Sequence, residues 1–231
     1  MLLPATFNAL VIGSSGSIGR AFVQLLESDP RCHALTQLSR TSHRSFDLLS
    51  PAGFPELAQS FAAHAPFGLI VDATGALVLP AGRPEKALRE LDARQLEQAF
   101  SINCIGPMLL MRHLCPLLAR GPAVYLKLSA RVGSISDNRK GGWYGYRASK
   151  AALNMMLQCA ALELQRNNPL VQVLALQPGT VRSALSQPFV AASMPVLEAH
   201  TSVAGMLAAL DRLTPCSGAR FIDYRGDAIP W

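Results

Sequence analysis

Short β-rich apolar runs alternate along this chain with longer helical patterns, and that alternation limits the folds open to it. The runs are FNALVIG, HALTQLS, FGLIVDA, AVYLKLS, VQVLALQPG and ARFIDY. Each is almost continuously hydrophobic, as a strand must be when its parallel sheet is covered on both faces. Helical patterns occupy about 16–28, 55–64, 92–119, 143–167 and 197–212 between them. The order predicts an α/β fold, a doubly wound parallel sheet with helices on both faces. In such sheets the ligand crevice lies beyond the carboxyl ends of the strands, so chemistry is sought there.

With 231 residues, half of them hydrophobic and 16% charged, the chain suits one sizeable domain over 1–231. No low-complexity run or fixed-period repeat argues for disorder or a solenoid. Cys32, Cys104, Cys115, Cys159 and Cys216 are scattered and odd in number, with no ligand spacing. They read as reduced thiols of a cytoplasmic protein, with no metal site. The opening MLLPATFNALVIG lacks a basic leading region and reads as a first strand. No apolar run approaches the ~18 residues of a membrane span. The net charge of +6 is spread out, NRK being its one short cluster. Without a basic stripe interleaved with aromatics, nucleic acid is not the expected partner, and an anionic small molecule is.

The first strand end reads ALVIGSSGSIGRAF, with Gly13, Gly16 and Gly19 between a strand and a helix. In that setting backbone N–H groups and the helix N-terminus can meet a pyrophosphate. The second strand ends in Ser39 and Arg40 rather than in the Asp or Glu of an NAD site. A guanidinium there favours a 2′-phosphate, which it can grip through two N–H groups, and therefore NADP over NAD.

With GSSGSIG, DATGAL, INCIGP, SARVGSISDN, YRASKAALN, PGTVRS and FIDYRGDAIPW in this order, the chain resembles the short-chain dehydrogenase/reductase family, in its C-factor-like carbonyl-reductase branch. The resemblance covers essentially the whole chain. It implies a single Rossmann-type domain that moves a hydride between NADP and a carbonyl or secondary alcohol. The apolar content of the long helices expected at 92–119 and 143–167 suits subunit packing, so a homodimer or homotetramer is expected. The resemblance implies further that Gly13, Ser15, Gly16, Ser17, Ile18 and Gly19 line the pyrophosphate and that Asp47 and Leu48 contact the adenine. Ala73, Thr74 and Gly75 would fall beside the cofactor, in the place of the family's N-N-A-G, with Asp72 and Thr74 as departures. Pro178, Gly179, Val181 and Ser183 would flank the nicotinamide, and Asn103 would hold a water on the proton path behind a lysine.

Tyr146 and Lys150 stand four residues apart in a helical segment, so their side chains share a face, whereas Tyr144 has Ala148 at that spacing. The family's Y-x-x-x-K falls on the same pair. A neighbouring ammonium favours phenolate and is expected to lower the Tyr146 pKa, making it the acid/base. Where the family places a carbonyl-polarising serine the chain has Ala130. Ser129, Ser134 or no serine at all are the alternatives, with Ser129 preferred. ALSQPFVAASMPVLEAH, after PGTVRS, is expected to wall the substrate side and to suit a small, fairly apolar compound. The competing function is a dinucleotide-binding regulatory protein that has kept the pocket and lost efficient chemistry.

Overall fold

Each of the six apolar runs forms a strand, and all six join one parallel sheet. The computed structural model describes residues 1–183, 187–189 and 196–231. In chain order the elements are β1 (Phe7–Ile12), α1 (Ser17–Glu27), β2 (Cys32–Leu38), α2 (Phe54–Ser60), β3 (Phe67–Asp72) and α3 (Ala93–Phe100). There follow α4 (Gly106–Leu114), β4 (Ala123–Leu128), α5 (Tyr144–Asn167), β5 (Val171–Gln177), α6 (Ala199–Arg212) and β6 (Arg220–Asp223). The spatial order is β2-β1-β3-β4-β5-β6, every pairing being parallel. The chain winds outward in opposite directions from β1 and β3, and a crevice opens between their carboxyl ends.

Alternation along each strand explains why the runs are apolar at nearly every position. Leu10 and Ile12 of β1 join Ile70, Tyr125 and Val173 in a core against α2, α4 and α5. Ala9 and Val11 point the other way, joining Leu69, Leu126 and Leu174 against Phe22 and Leu26 of α1 and Met206 and Leu210 of α6. Side chains this fully buried contribute about 1.5–3 kcal/mol each, so both layers hold the sheet.

Two helical expectations are corrected. The pattern at 55–64 gives α2 and then a separate 3₁₀ turn, Ala62–His64. The pattern at 92–119 is not one helix: α3 passes through a π-helical turn, Ser101–Ile105, into α4, and a 3₁₀ turn, Cys115–Leu117, follows. Pro107 has no N–H to give the Asn103 carbonyl, and the widened turn, with Gly106 N–H donating to the Ser101 carbonyl, absorbs that loss. Pro116 ends regular helix in the same way. Asp92 starts α3 by accepting from Gln95 N–H at 2.9 Å.

Candidate active site

The turn after β1 has the shape an anionic cofactor needs. Gly13 is left-handed, φ +79°, and a Cβ there would press on the Ala73 carbonyl carbon at 3.2 Å. A Cβ on Gly19 would collide with the Gly13 carbonyl, so α1 can approach the turn this closely only without a side chain. Gly16 caps α1 and has no side chain, so the first N–H groups of the helix have no side-chain cap. Such a cradle fits a diphosphate. Ser15, Gly16 and Ser17 are exposed along it and Ile18 reaches the main cavity.

At the end of β2 the Ser39 side chain is buried and knitted to Ser42, whose N–H it accepts at 3.2 Å. Arg40 stands exposed on the same loop, with Arg44, a second cation that the sequence reading did not single out. Asp47 accepts Leu49 N–H at 3.0 Å, and Leu48 packs behind α4, where a Cβ on Gly106 would crowd it.

Asp72, which replaces an amide in the family's pattern, belongs to a buried ion pair. Its Oδ1 lies 2.9 Å from Lys127 Nζ, the two side chains being 0% and 1% exposed. Lys127 also donates to the Thr74 carbonyl at 2.7 Å and to Thr74 Oγ1 at 3.0 Å, while Asp72 Oδ1 accepts Thr74 N–H at 2.9 Å. The pair therefore shapes the segment that carries Ala73, Thr74 and Gly75. Lys127 was missed, although a lysine inside AVYLKLS was visible as an anomaly.

Tyr146 and Lys150 rise from the first turns of α5. Lys150 Nζ donates to the Leu128 carbonyl at 3.1 Å and lies 5.8 Å from the centre of the Tyr146 ring. A Cβ on Gly75 would be 3.3 Å from both Lys150 Nζ and Asn103 Oδ1, so these groups converge on one wall. The Asn103 amide is spent on the loop: Oδ1 accepts Ala76 N–H at 2.9 Å and Nδ2 donates to the Ala76 carbonyl at 2.8 Å. Its main-chain carbonyl has no ordinary helical donor, because the residue four positions on is Pro107.

The expected lowering of the Tyr146 pKa is not what the surroundings produce. Burial pushes the phenol up to about 12. Lys150 is pulled down to about 7, first by burial and then by the Lys127 charge, against the opposing charge of Asp72 and the effect of Cys104. Near neutrality Lys150 is thus partly uncharged, and desolvation of the phenol outweighs it.

The start of α5 is held from a distance. Trp143, its N-cap, is left-handed at φ 53° and gives no side-chain cap. Glu85 serves instead: its carboxylate accepts Gly145 N–H at 3.1 Å and its carbonyl accepts Trp143 N–H. Glu85 Oε1 is buried without a partner, beside a small cavity of about 10 Å³ that Asn103 and Tyr146 also line. No motif pointed to Glu85, because its contact spans 60 residues.

A larger cavity of about 530 Å³ opens over Tyr146 and Lys150. Gly75, Ser129, Ala130, Pro178, Gly179, Val181 and Ser183 line it, whereas Tyr144 and Ser134 do not. Ser129 Oγ gives its hydrogen to Asn154 Oδ1 at 2.6 Å, and Asn154 Nδ2 is left buried and unpartnered. Ser134 is tied to Asp137 N–H at 3.1 Å and to the Trp231 carbonyl at 3.5 Å. Of the segment expected to wall the substrate side, 184–186 and 190–195 lie outside the described residues, and Phe189 lines the cavity. No described helix is long and apolar enough to cross a membrane.

Comparisons with known proteins bear on the family and the fold. The profile of the short chain dehydrogenase family matches residues 8–193. C-signal of Myxococcus xanthus is 38% identical over 146 residues, covering 63% of this chain and 84% of that protein. The 1-hydroxy-2-glutathionyl-2-methyl-3-butene dehydrogenase of Rhodococcus sp. (strain AD45) is 34% identical over 141 residues, 61% of each chain. Two solved structures share the fold at a TM-score of 0.84: carbonyl reductase Sniffer of D. melanogaster, 20% identical over 98% of this chain and 100% of that one, and an NADPH-bound carbonyl reductase from chicken fatty liver, 21% identical over 99% and 100%.

Proposed function

The chain belongs to the short chain dehydrogenase family, and on that premise we propose that it is an NADP-dependent reductase of a carbonyl, or oxidant of the secondary alcohol, in a small and fairly apolar compound. The observation that carries this reading is the meeting of Tyr146, Lys150 and Gly75 on one wall of the large cavity, with Asn103 behind Gly75. The cradle at Gly13–Gly19 fits the cofactor's diphosphate, and Arg40 with Arg44 suits a 2′-phosphate. The NADPH in the chicken reductase supports the same cofactor. We place the enzyme in the cytoplasm as one domain. It would pair as a homodimer or homotetramer through the exposed Met155, Met156 and Leu162 of α5.

Bound NADPH would supply the hydride. In reduction Tyr146 gives its proton to the developing alkoxide, and a phenol held near 12 is fully protonated for that task at neutral pH. Lys150 would hold a ribose hydroxyl and return a proton to the Tyr146 phenolate, its own replacement coming from a water that Asn103 would order. Ser129 remains the proposed polarising group. With the Asn154 amide turned by 180°, Nδ2 would donate to Ser129 Oγ and leave the hydroxyl hydrogen for a substrate carbonyl. A second reading, a dinucleotide-binding regulatory protein with weak or no catalysis, is favoured by Ala130 and by the commitment of Ser129 to Asn154. The name of the Myxococcus relative, C-signal, is in keeping with it.

Titration of NADPH and NADH, paired with turnover on a panel of carbonyls, tests the proposal. Arg40→Asp should weaken NADPH by about 10–100-fold, the worth of one charge-assisted contact, and spare NADH. Unchanged constants for both would remove Arg40 from the site, and tight NADPH binding with no oxidation across the panel would favour the regulatory reading.

A further inference from the structure

We propose that the large cavity takes a carbonyl compound bearing a carboxylate, which Arg147 receives beside Tyr146. This deepens the reductase reading and rests on it for the position of the reacting carbonyl. The cavity wall carries Arg131, Lys140 and Arg147 in addition to Lys150, and its described residues include no Asp or Glu. These three cations lie on the loop after β4 and on the first turn of α5, whereas the diphosphate cradle follows β1. An anion drawn to them belongs to the substrate.

Arg147 is the built part of this site. Gly141, Gly142 and Trp143 all have positive φ, at 61°, 66° and 53°. Both glycine carbonyls accept from Arg147 Nε, at 3.2 and 2.9 Å, and the Val132 carbonyl accepts from Nη1 at 3.3 Å. The guanidinium is thus oriented by backbone dipoles, with Nη2 unused and no carboxylate paired with it among the described residues. Burial disfavours its charge, and an incoming anion offsets that cost. Arg131, by contrast, already faces Asp137 at 3.2 Å, both exposed, and adds little. Lys140 is exposed at the rim, where it can steer the anion inward.

The left-handed Trp143 supplies the apolar half of the site. A bulky residue in that region is strained, by about 1–2 kcal/mol, and persists only where its surroundings hold it. Here Glu85 accepts its N–H. The result is an indole edge-on to Tyr146 at 6.4 Å and to Phe189 at 5.3 Å, a wall suited to a flat apolar or aromatic body. The substrate then spans an anion at Arg147, a flat middle against Trp143, and a carbonyl at Tyr146.

Matched pairs test this: an aryl keto acid and its methyl ester, each assayed for kcat/KM with NADPH on the wild type, Arg147→Met, Arg147→Lys and Lys140→Ala. We expect the wild type to prefer the acid by about 10–100-fold, the range of a charge-assisted contact. Arg147→Met should bring the acid-to-ester ratio close to one, and Arg147→Lys should restore part of it. Lys140→Ala, at an exposed position that leaves the loop intact, should lower the ratio by about threefold, and added salt should mimic it. A wild-type ratio near one, or a ratio that survives Arg147→Met in a folded protein, overturns the proposal. Should neither compound be reduced, calorimetry on the NADP complex decides. Acid binding without ester binding upholds the anion site while the reductase reading falls, and equal or absent binding overturns the anion site as well.

Discussion

Replacing Lys127 by methionine, which keeps the length of the stem and removes the charge, should destabilise the protein by about 3–5 kcal/mol. The magnitude follows from what is left behind. Asp72 is completely buried, its Oδ2 already lacks a partner, and without Lys127 its charge is met only by the N–H and hydroxyl of Thr74. Asp72→Asn should cost less, because burial already holds Lys127 below the usual lysine pKa and the orphaned amine can shed its proton. The double variant removes both charges, so its cost should fall short of the sum of the singles by at least about 1–2 kcal/mol. Urea unfolding measures each value, a constant m reporting that the cooperative unit is unchanged. Since Lys127 also fixes Thr74, NADPH affinity should fall in both single variants. A cost below about 1 kcal/mol for Lys127→Met, with additive behaviour in the double variant, would refute the idea that this pair organises the cofactor wall.

Lys150 gives a pH dependence of known sign. Its pKa of about 7 in the fold, against ~10.4 when unfolded, means that the unfolded chain binds the extra proton between those values. Stability should therefore rise with pH across that window through this group, and the gap between wild type and Lys150→Met should change accordingly; a gap flat from pH 7 to ~10 contradicts the burial. Glu85→Ala orphans Gly145 N–H, which should cost about 1–3 kcal/mol. It should also slow hydride transfer by about 10²-fold as Tyr146 shifts, while Glu85→Gln keeps the acceptor and most of the rate; full turnover by Glu85→Ala removes its positioning role. Ser129→Ala should lower single-turnover hydride transfer by about 10²–10³-fold, and an unchanged rate would leave Tyr146 to act without a polarising hydroxyl.

The sheet was legible because every strand carries its burial in its own residues: β1 and β3 to β5 must be apolar on both sides, and their runs are. The break at Ser101–Ile105 was half visible. Gly106 and Pro107 stand in the sequence as helix breakers, but propensity does not say whether a helix bends or widens where the Asn103 carbonyl loses its ordinary donor. Tyr146 and Lys150 share a face by helical spacing alone, so local geometry sufficed to pair them. Their pKa directions did not follow, since burial and the Lys127 charge arrive from other elements. Glu85, Lys127 and the grip on Arg147 depend on contacts between distant segments or on three consecutive positive φ angles, and no local pattern encodes them.

The acid/base role of Tyr146 is tested most directly by single-turnover hydride transfer at saturating NADPH, with Tyr146→Phe and Tyr144→Phe compared on one reducible carbonyl. We expect Tyr146→Phe to lose about 10²–10⁴-fold in rate with NADPH still bound, and Tyr144→Phe, whose side chain does not line the cavity, to stay within a few-fold of the wild type. Equal losses in two folded variants, or a Tyr146→Phe protein that transfers hydride at the wild-type rate, would contradict it.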